Sequence, residues 1–233
     1  MLLRPRREQT REHTEMVIQI KTIARRQMAV HGTAGLSLRG IARELGITAP
    51  AIYNYFPRLE DLITALAEAM EVAEVAAVSG SYRDRIIALC LAYRQWAIEH
   101  PVDFQLIYGN PIPGYHAPEE LTIPLARRPF LGLFRCFIQA YLAGELTIPV
   151  EYQVVPSSMA ASIANWKRAS GIEMPDALLG LVMSGWSRIY GVVMLELFHH
   201  LQPLVGDGAT FYRYEILAFL QQLGMTSGGN THD

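Results

Sequence analysis

Residues 38–53 of the 233-residue chain, LRGIARELGITAPAIY, carry the most chemistry per position. Two short helices that cross at about 90–120° need a small residue where their backbones approach, and Ala42 supplies one. Four residues later the tight turn requires a positive φ, which Gly46 adopts without a Cβ clash. Ile41, Leu45, Ile47 and Ile52 form the small apolar core that fixes the crossing. Thr48 is a suitable N-cap, and Pro50 falls in the first helical turn, where its missing N–H costs nothing. Ala49 and Ala51 are small enough to let this second helix approach a groove wall closely.

Such a pair of helices does its work by contact rather than by bond making. A helix presented this way puts its N-terminal residues at base edges in a DNA major groove, while neighbouring groups set register on phosphates. Thr48, Ala49, Pro50 and Tyr53 would face the groove, with apolar contact to a thymine methyl open to the small residues. Asn54 belongs to the same segment. Tyr53 and Tyr55 can donate to phosphate oxygens, although the spacing of Tyr55 and Phe56 also suits core packing. Arg39 is the candidate for a guanine contact or a backbone anchor. Ser37 can cap its helix and touch phosphate together. The arginines at 4, 6, 7 and 11 are readable either as a DNA-reaching arm over residues 1–12 or as a solvated disordered tail.

The charge distribution agrees with a nucleic-acid-facing head. The whole chain has a net charge of −2, which excludes a uniformly basic coat. Residues 1–62 nevertheless hold ten Lys/Arg against six Asp/Glu, a net of +4, while residues 63–233 hold ten against sixteen, a net of −6. Hydrophobic residues make up 51% and charged residues 18%, so a mainly disordered chain is also excluded.

The elements that must position these residues are helical throughout, with no alternating β-branched runs. Val17, Ile20, Ala24 and Met28 recur at spacings of three and four, and His31-Gly32 supplies a stop. Helices are expected over 38–45, 49–56 and 59–78, then roughly over 82–100, 125–143, 157–170, 176–202 and 210–223. The Pro/Gly-rich stretch 109–124 reads as one long loop. The fold class is all-α: a DNA-binding domain of three helices with a helix-turn-helix over 1–62, a helical regulatory domain over 63–225, and a disordered tail over 226–233.

At these residues the chain resembles the TetR family of bacterial transcriptional repressors. The match runs over about 17–66: a capped first helix, Leu36-Ser37-Leu38-Arg39-Gly40-Ile41-Ala42, Leu45-Gly46-Ile47, Ile52-Tyr53-Asn54-Tyr55-Phe56-Pro57, and Glu60-Asp61-Leu62. The family usually carries Lys before the acidic pair. This chain has Leu59 there and Arg58 one position earlier, so Arg58 is the expected substitute for that phosphate contact. The second half resembles a C-terminal class of the family marked by a Trp-His-Gly helix, here Gly185-Trp186-Ser187-Arg188-Ile189-Tyr190-Gly191, with Tyr190 at the His position. The resemblance implies a homodimer joined by its last two long helices. It would bind double-stranded operator DNA of roughly palindromic sequence, repress transcription, and be released by a small-molecule effector.

For the dimer face, Leu178, Leu181, Gly185, Ile189, Val192 and Val193 line a broad side of the helix over 176–202, joined by Phe211 and Leu217 from 210–223. For the effector pocket, aromatic and polar residues mingle at Tyr93, Trp96, Phe104, Tyr108, Phe134, Phe137, Tyr141, Met159 and Trp166. Taken singly, each of these also suits plain core packing. Helix 59–78 is the natural lever between pocket and head.

The alternative is a helical ligand carrier or enzyme whose helix-turn-helix-like head is only structural. Against an enzyme, the chain has no G-x-S-x-G, P-loop or G-x-G-x-x-G. Its one Glu-x-x-His, Glu196 to His199, lacks the second copy that a di-iron bundle needs. No metal, cofactor or catalytic residue is expected. Cys90 and Cys136 are too few for a disulfide framework. The longest uncharged runs, 104–118 and 216–232, are broken by Pro or end in polar residues, and the arginine-rich start has no apolar run behind it. The expectation is therefore no membrane partner and a cytoplasmic location.

Overall fold

Helical periodicity becomes helix nearly everywhere that the computed structural model describes the chain, namely residues 6–32, 35–68, 80–109 and 119–226; no strand occurs among them. Contacts divide the chain into two units, Met1–Glu71 with His100–Arg127, and Val72–Glu99 with Arg128–Asp233. The expected cut at residue 62 follows chain order alone. The contacts instead return one helix, absent from the sequence reading, to the first unit.

The first unit contains α1 (Arg6–His31), α2 (Leu38–Leu45), α3 (Ala49–Ile52), α4 (Leu59–Glu68) and α6 (Pro101–Tyr108). Its core gathers Ile20, Ala24 and Met28 of α1, Leu38, Ile41 and Ala42 of α2, Ile52 of α3, and Leu62, Ile63 and Leu66 of α4. α6 is the helix not foreseen. Pro101 follows His100, where the sequence reads as a stop, yet a proline in the first helical turn starts a helix equally well. α6 packs on α1 and α4 and brings Val102 and Leu106 against the core.

An ion pair fixes this return. Arg25 Nε donates to both carboxylate oxygens of Asp103, at 2.8 and 3.1 Å, and Asp103 is buried. Lys21 Nζ adds a bond to the Ala65 carbonyl at 2.9 Å, tying α1 to α4. At its other end α1 begins at Arg6, so residues 6–12 are drawn as helix rather than as the irregular arm read from sequence. Arg4 lies outside the described residues, as does the expected end of the α4 helix over 69–78.

The second unit contains α5 (Tyr82–Glu99), most of α7 (Glu119–Leu142), α8 (Val150–Gln153), α9 (Ser157–Ser170), α10 (Asp176–Leu197), α11 (Gln202–Val205) and α12 (Gly208–Gln222). α7 starts six residues before the expected 125. α10 is the central element and packs on α5, α8, α9 and α12. It is long and apolar enough to cross a membrane by length and composition, with a mean hydropathy of 1.5. Its composition has another cause here: Leu178, Leu181, Val182 and Val193 are all buried in the unit's own core.

α10 ends at Leu197 rather than at 202. His199 takes a φ of +57°, the His200 N–H turns back to the Leu195 carbonyl at 2.8 Å, and Gln202 Nε2 bonds the Glu196 carbonyl at 3.1 Å. Inside the unit a second buried carboxylate is paired like the first. Arg94 of α5 donates to Glu196 through Nε at 2.8 Å and Nη2 at 2.5 Å. Gly208 opens α12 directly over that carboxylate, where a Cβ would collide with it. Asp207 caps α12 by accepting from the Ala209 and Thr210 N–H groups, and the Thr210 hydroxyl bond first, with those N–H bonds, holds its carboxyl below the usual range. The fully buried Tyr212 then donates to the Cys90 carbonyl at 2.8 Å.

Two outcomes follow for stability. Asp103→Ala strips the half-buried Arg25 guanidinium of its partner and is expected to destabilise the first unit by about 1–2 kcal/mol in a chemical denaturation curve; an unchanged midpoint would remove the pair from its structural role. Gly185→Ala places a Cβ 2.7 Å from Phe219 Cε1. It should cost about 1–3 kcal/mol of second-unit stability by overpacking, read as a lower melting temperature.

Candidate nucleic-acid interface

The helix-turn-helix forms as the residue types require. Ser37 caps α2, its Oγ accepting from the Gly40 N–H at 3.1 Å. Gly46 ends α2 at φ +68°, and its N–H and that of Ile47 close onto the carbonyls of Arg43 and Ala42. Ala42 is buried at the α2–α3 approach, and Ile41 and Ile52 are completely buried. Leu45 and Ile47 pack at the margin of this core. Each feature is a local consequence of sequence, and together they hold α3 at one orientation.

α3 itself is only four residues long. The expected helix over 49–56 stops at Ile52, and the chain continues through hydrogen-bonded turns, with Asn54 N–H to Ala51 O at 3.3 Å and Phe56 N–H to Ile52 O at 3.0 Å. Pro57 disfavours helical backbone at Phe56, so the helix does not reach its expected end. Thr48 occupies the N-cap position without a side-chain cap bond, so its hydroxyl stays on the surface. Thr48, Pro50, Tyr53 and Asn54 are exposed and Ala49 is half-buried. These five residues form one continuous outward segment of small and polar groups, with no carboxylate among them.

Basic residues beside this segment differ in their availability. Glu44 of α2 is drawn back to α1, where it pairs with Arg26 and accepts from Gln27 Nε2 at 3.0 Å. Arg39 and Arg43 of α2 are exposed and make no ion pair among the described residues. Arg58 does not match its expected role as a free phosphate contact. Its guanidinium is bound to Asp61 through Nε at 3.3 Å and Nη2 at 2.8 Å, and Asp61 also accepts the Arg58 backbone N–H at 3.0 Å. This arrangement closes the N-terminus of α4, and the shared hydrogen bond raises the Arg58 pKa and lowers that of Asp61. The spacing of an arginine three residues before an aspartate at a helix start is the sequence signal for this cap.

Tyr55 and Phe56, left open between core and contact, separate. Phe56 is buried, and Tyr55 is half-buried against the head core. The outer face of Tyr55 carries a partner that sequence reading missed: His13 of α1 stacks on it, with centroids 4.8 Å apart and planes at 25°. A separation of forty-two positions along the chain gives no local signal for that pair.

The residues read as an effector pocket are divided between the two units. Phe104 and Tyr108 lie on α6 in the first unit, their rings 5.2 Å apart. In the second unit Tyr93 is buried, Phe134 packs on Trp166 at 5.3 Å, Trp96 and Tyr141 are half-buried, and Met159 is exposed. Only Phe137 of the set lines the second unit's apolar cleft, with Ile86, Cys90, Leu133, Gly185, Ile189, Ile216, Phe219 and Leu220. Its rim carries Arg188 and Glu215, 3.5 Å apart, the Arg188 guanidinium lying 5.3 Å over the Phe219 ring. The cleft measures about 20 Å³, room for one water. Burial pushes the Cys90 thiol up to about 12, so it is an apolar wall group.

Most of the residues expected on a dimer face are placed inside the single chain. Leu178, Leu181, Gly185, Ile189, Val192 and Val193 are buried within the single chain and build its core. Phe211 and Leu217 remain half-buried. The apolar surface that α10 and α12 leave open is a different stripe, with Met183, Leu195 and Phe198 on α10 or its C-cap and Tyr214 on α12, all well exposed. Gly180 and Gly191 sit on α10 where a Cβ would meet open space. Glu196, the acidic member of the Glu-x-x-His, is committed to Arg94.

Comparison with known proteins agrees with this geometry. Residues 22–66 match the model of bacterial regulatory proteins of the tetR family, and residues 86–219 match the tetracyclin repressor-like C-terminal domain. The chain is 32% identical over 201 residues to the HTH-type transcriptional regulator Mb1846 of Mycobacterium bovis, covering 83% of this chain and 84% of that one. The regulator Rv1816 of Mycobacterium tuberculosis matches to the same extent. Among solved structures, the putative regulatory protein SCO4313 superposes with a TM-score of 0.67 at 27% identity, covering 93% of this chain and 99% of that chain. A protein of unknown function from Rhodococcus sp. RHA1 shares the fold, with a TM-score of 0.64 at 22% identity. With the helix-turn-helix formed and both family models matched, the chain belongs to the TetR family and is a DNA-binding transcriptional regulator.

Proposed function

We propose that this regulator is a repressor that binds a roughly palindromic operator as a homodimer and leaves it when a small molecule occupies the second unit. The observation that carries the DNA side of this reading is the exposed run Thr48–Pro50 with Tyr53 and Asn54, flanked by the unpaired cations Arg39 and Arg43. Thr48, Ala49 and Pro50 meet the base edges, where small groups allow close approach and contact with a thymine methyl. Tyr53 and Asn54 reach phosphates. Arg39 is the strongest single contact, since a planar guanidinium can bind guanine O6 and N7 together. Ser37 caps α2 through its oxygen and keeps its O–H free to donate to a phosphate, while Tyr55 and Arg58 act on the position of the contact segment.

Two-fold symmetry follows from the task. A four-residue helix reads few bases, so specificity requires a second copy about 34–36 Å away on the same face of the duplex. The exposed stripe of Met183, Leu195, Phe198 and Tyr214, with the bare backbone at Gly180 and Gly191, supports pairing of α10 and α12 with their mates in a second copy. An effector that favours the dimer geometry unable to span two half-sites shifts the population off DNA. Low affinity for the operator in the presence of that effector is then a matter of linkage alone.

A gel-shift series on the protein's own upstream intergenic DNA checks the contacts. Arg39→Ala is expected to weaken specific binding by about 1–3 kcal/mol and to relax the preference at one base position. Tyr53→Phe should weaken binding to all sequences alike, as loss of a phosphate contact does, with the melting temperature unchanged in both variants. Equal affinity of Arg39→Ala and wild type would displace Arg39 from the interface. For the dimer, Leu195→Glu should shift the mass measured by light scattering from two chains to one, and a dimer persisting in that variant would place the interface elsewhere.

A further inference from the structure

The stacked pair of His13 and Tyr55 is not used by the contacts assigned so far. Tyr55 sits at the exit of the recognition segment, directly after the exposed Tyr53 and Asn54, with one side of its ring against the head core. His13 covers the other side at 4.8 Å while remaining exposed itself. Stacking engages only the face of an imidazole. Its two ring nitrogens lie on the edge, and His13 makes no hydrogen bond or ion pair among the described residues. Of the carboxylates near it on α1, Glu15 is paired with Arg11 at 2.9 Å. The result is a ring held in a fixed orientation by a half-buried platform, with unused N–H capacity, on the rim of the surface that faces DNA.

We propose that His13 is a phosphate-contacting residue of the DNA interface, positioned by Tyr55, so that the interface extends from the helix-turn-helix onto the first helix. The inference rests on the DNA-contact assignment made above for residues 48–54. Phosphate is the fitting ligand for two reasons. An imidazole N–H is a donor, and its protonated form gains a charge-assisted bond to an anionic oxygen. Loss of rotamer freedom on binding is small because the stack has already fixed the ring. Tyr55 acts here as the support of a donor rather than as the donor.

The test uses full-length protein with a labelled duplex of its upstream intergenic DNA and an unrelated duplex of equal length, over a series of salt concentrations. His13→Phe keeps the stack and removes the nitrogens. It is expected to lower affinity for both duplexes about tenfold, as loss of one charge-assisted hydrogen bond does, and to leave the melting temperature unchanged. His13→Arg, which can stack and donate, should restore wild-type affinity or exceed it and steepen the dependence of log K on log salt by about one unit. Tyr55→Leu removes the platform and should give a loss that is not additive with His13→Phe. Wild-type affinity in His13→Phe would overturn the proposal and leave His13 as a cover for Tyr55. So would an equal loss in His13→Arg and His13→Phe. Failure of the wild-type protein to bind either duplex at low salt would overturn the DNA-contact assignment together with this one.

Discussion

The approach of α2 to α3 is the constraint on which the DNA-binding surface depends. A helix of four residues has no stability of its own in water, because nucleation alone exceeds what so few hydrogen bonds return. α3 exists because Ile52 is buried against Ile41 and because Ala42 lets the two backbones close up. The left-handed turn at Gly46 sets the direction of departure. α1 and α4 complete the core from the other side, so the orientation of Thr48 and Pro50 is decided by residues that never reach the surface. That arrangement leaves the outward positions free to vary in chemistry without endangering the fold.

Both units solve one further problem in the same way. Each buries a single carboxylate among its described residues, Asp103 in the first and Glu196 in the second, and each pairs it with both oxygens facing one arginine. A lone buried charge would be severely unfavourable, whereas a paired and fully hydrogen-bonded one fixes which helices meet. Arg25 with Asp103 selects α6 as the partner of α1. Arg94 with Glu196 selects α5 as the partner of the end of α10, and Gly208 admits the start of α12 over the same carboxylate. Apolar periodicity alone would not distinguish these pairings from a sliding of one helix along another by a turn.

What could be read in the sequence divides along the same line. Ser37, Ala42, Gly46 and Pro50 act through their immediate neighbours, and their roles follow from residue type and offset. α6 was missed because Pro101 obeys two local rules with opposite meanings, stop and start, and only the contacts of Val102, Asp103 and Leu106 decide between them. The faces of α10 were exchanged because the helix is apolar nearly all round: Leu178 and Leu195 have the same side chain, one buried and one exposed. Periodicity identifies such a helix as central but not which stripe points inward. Arg58 reads as the substitute for the family's usual Lys, while the acceptor three residues away holds it as a cap. His13 and Tyr55 meet through tertiary packing, about which sequence spacing says nothing.

The size of the second unit's cleft bears on how an effector would act. A site that encloses a drug-sized molecule needs on the order of 300 Å³ or more, and the apolar cleft offers about 20 Å³. Gly185 is already filled up to the Phe219 ring, and Trp186, Phe137 and Leu133 complete the wall. An effector entering there has to displace side chains that are now closely packed, and Phe219 is held on its other side by the Arg188 guanidinium. The energy of that displacement opposes binding in the closed arrangement and is released in any arrangement where the rings have already moved apart. A ligand therefore binds the two arrangements with different affinity by virtue of the packing itself, and differential affinity is the one property that a ligand needs in order to shift a population. If the proposed effector enters at this cleft, the tight packing around Gly185 would supply the coupling, and a roomier pocket would bind the same molecule with less regulatory effect.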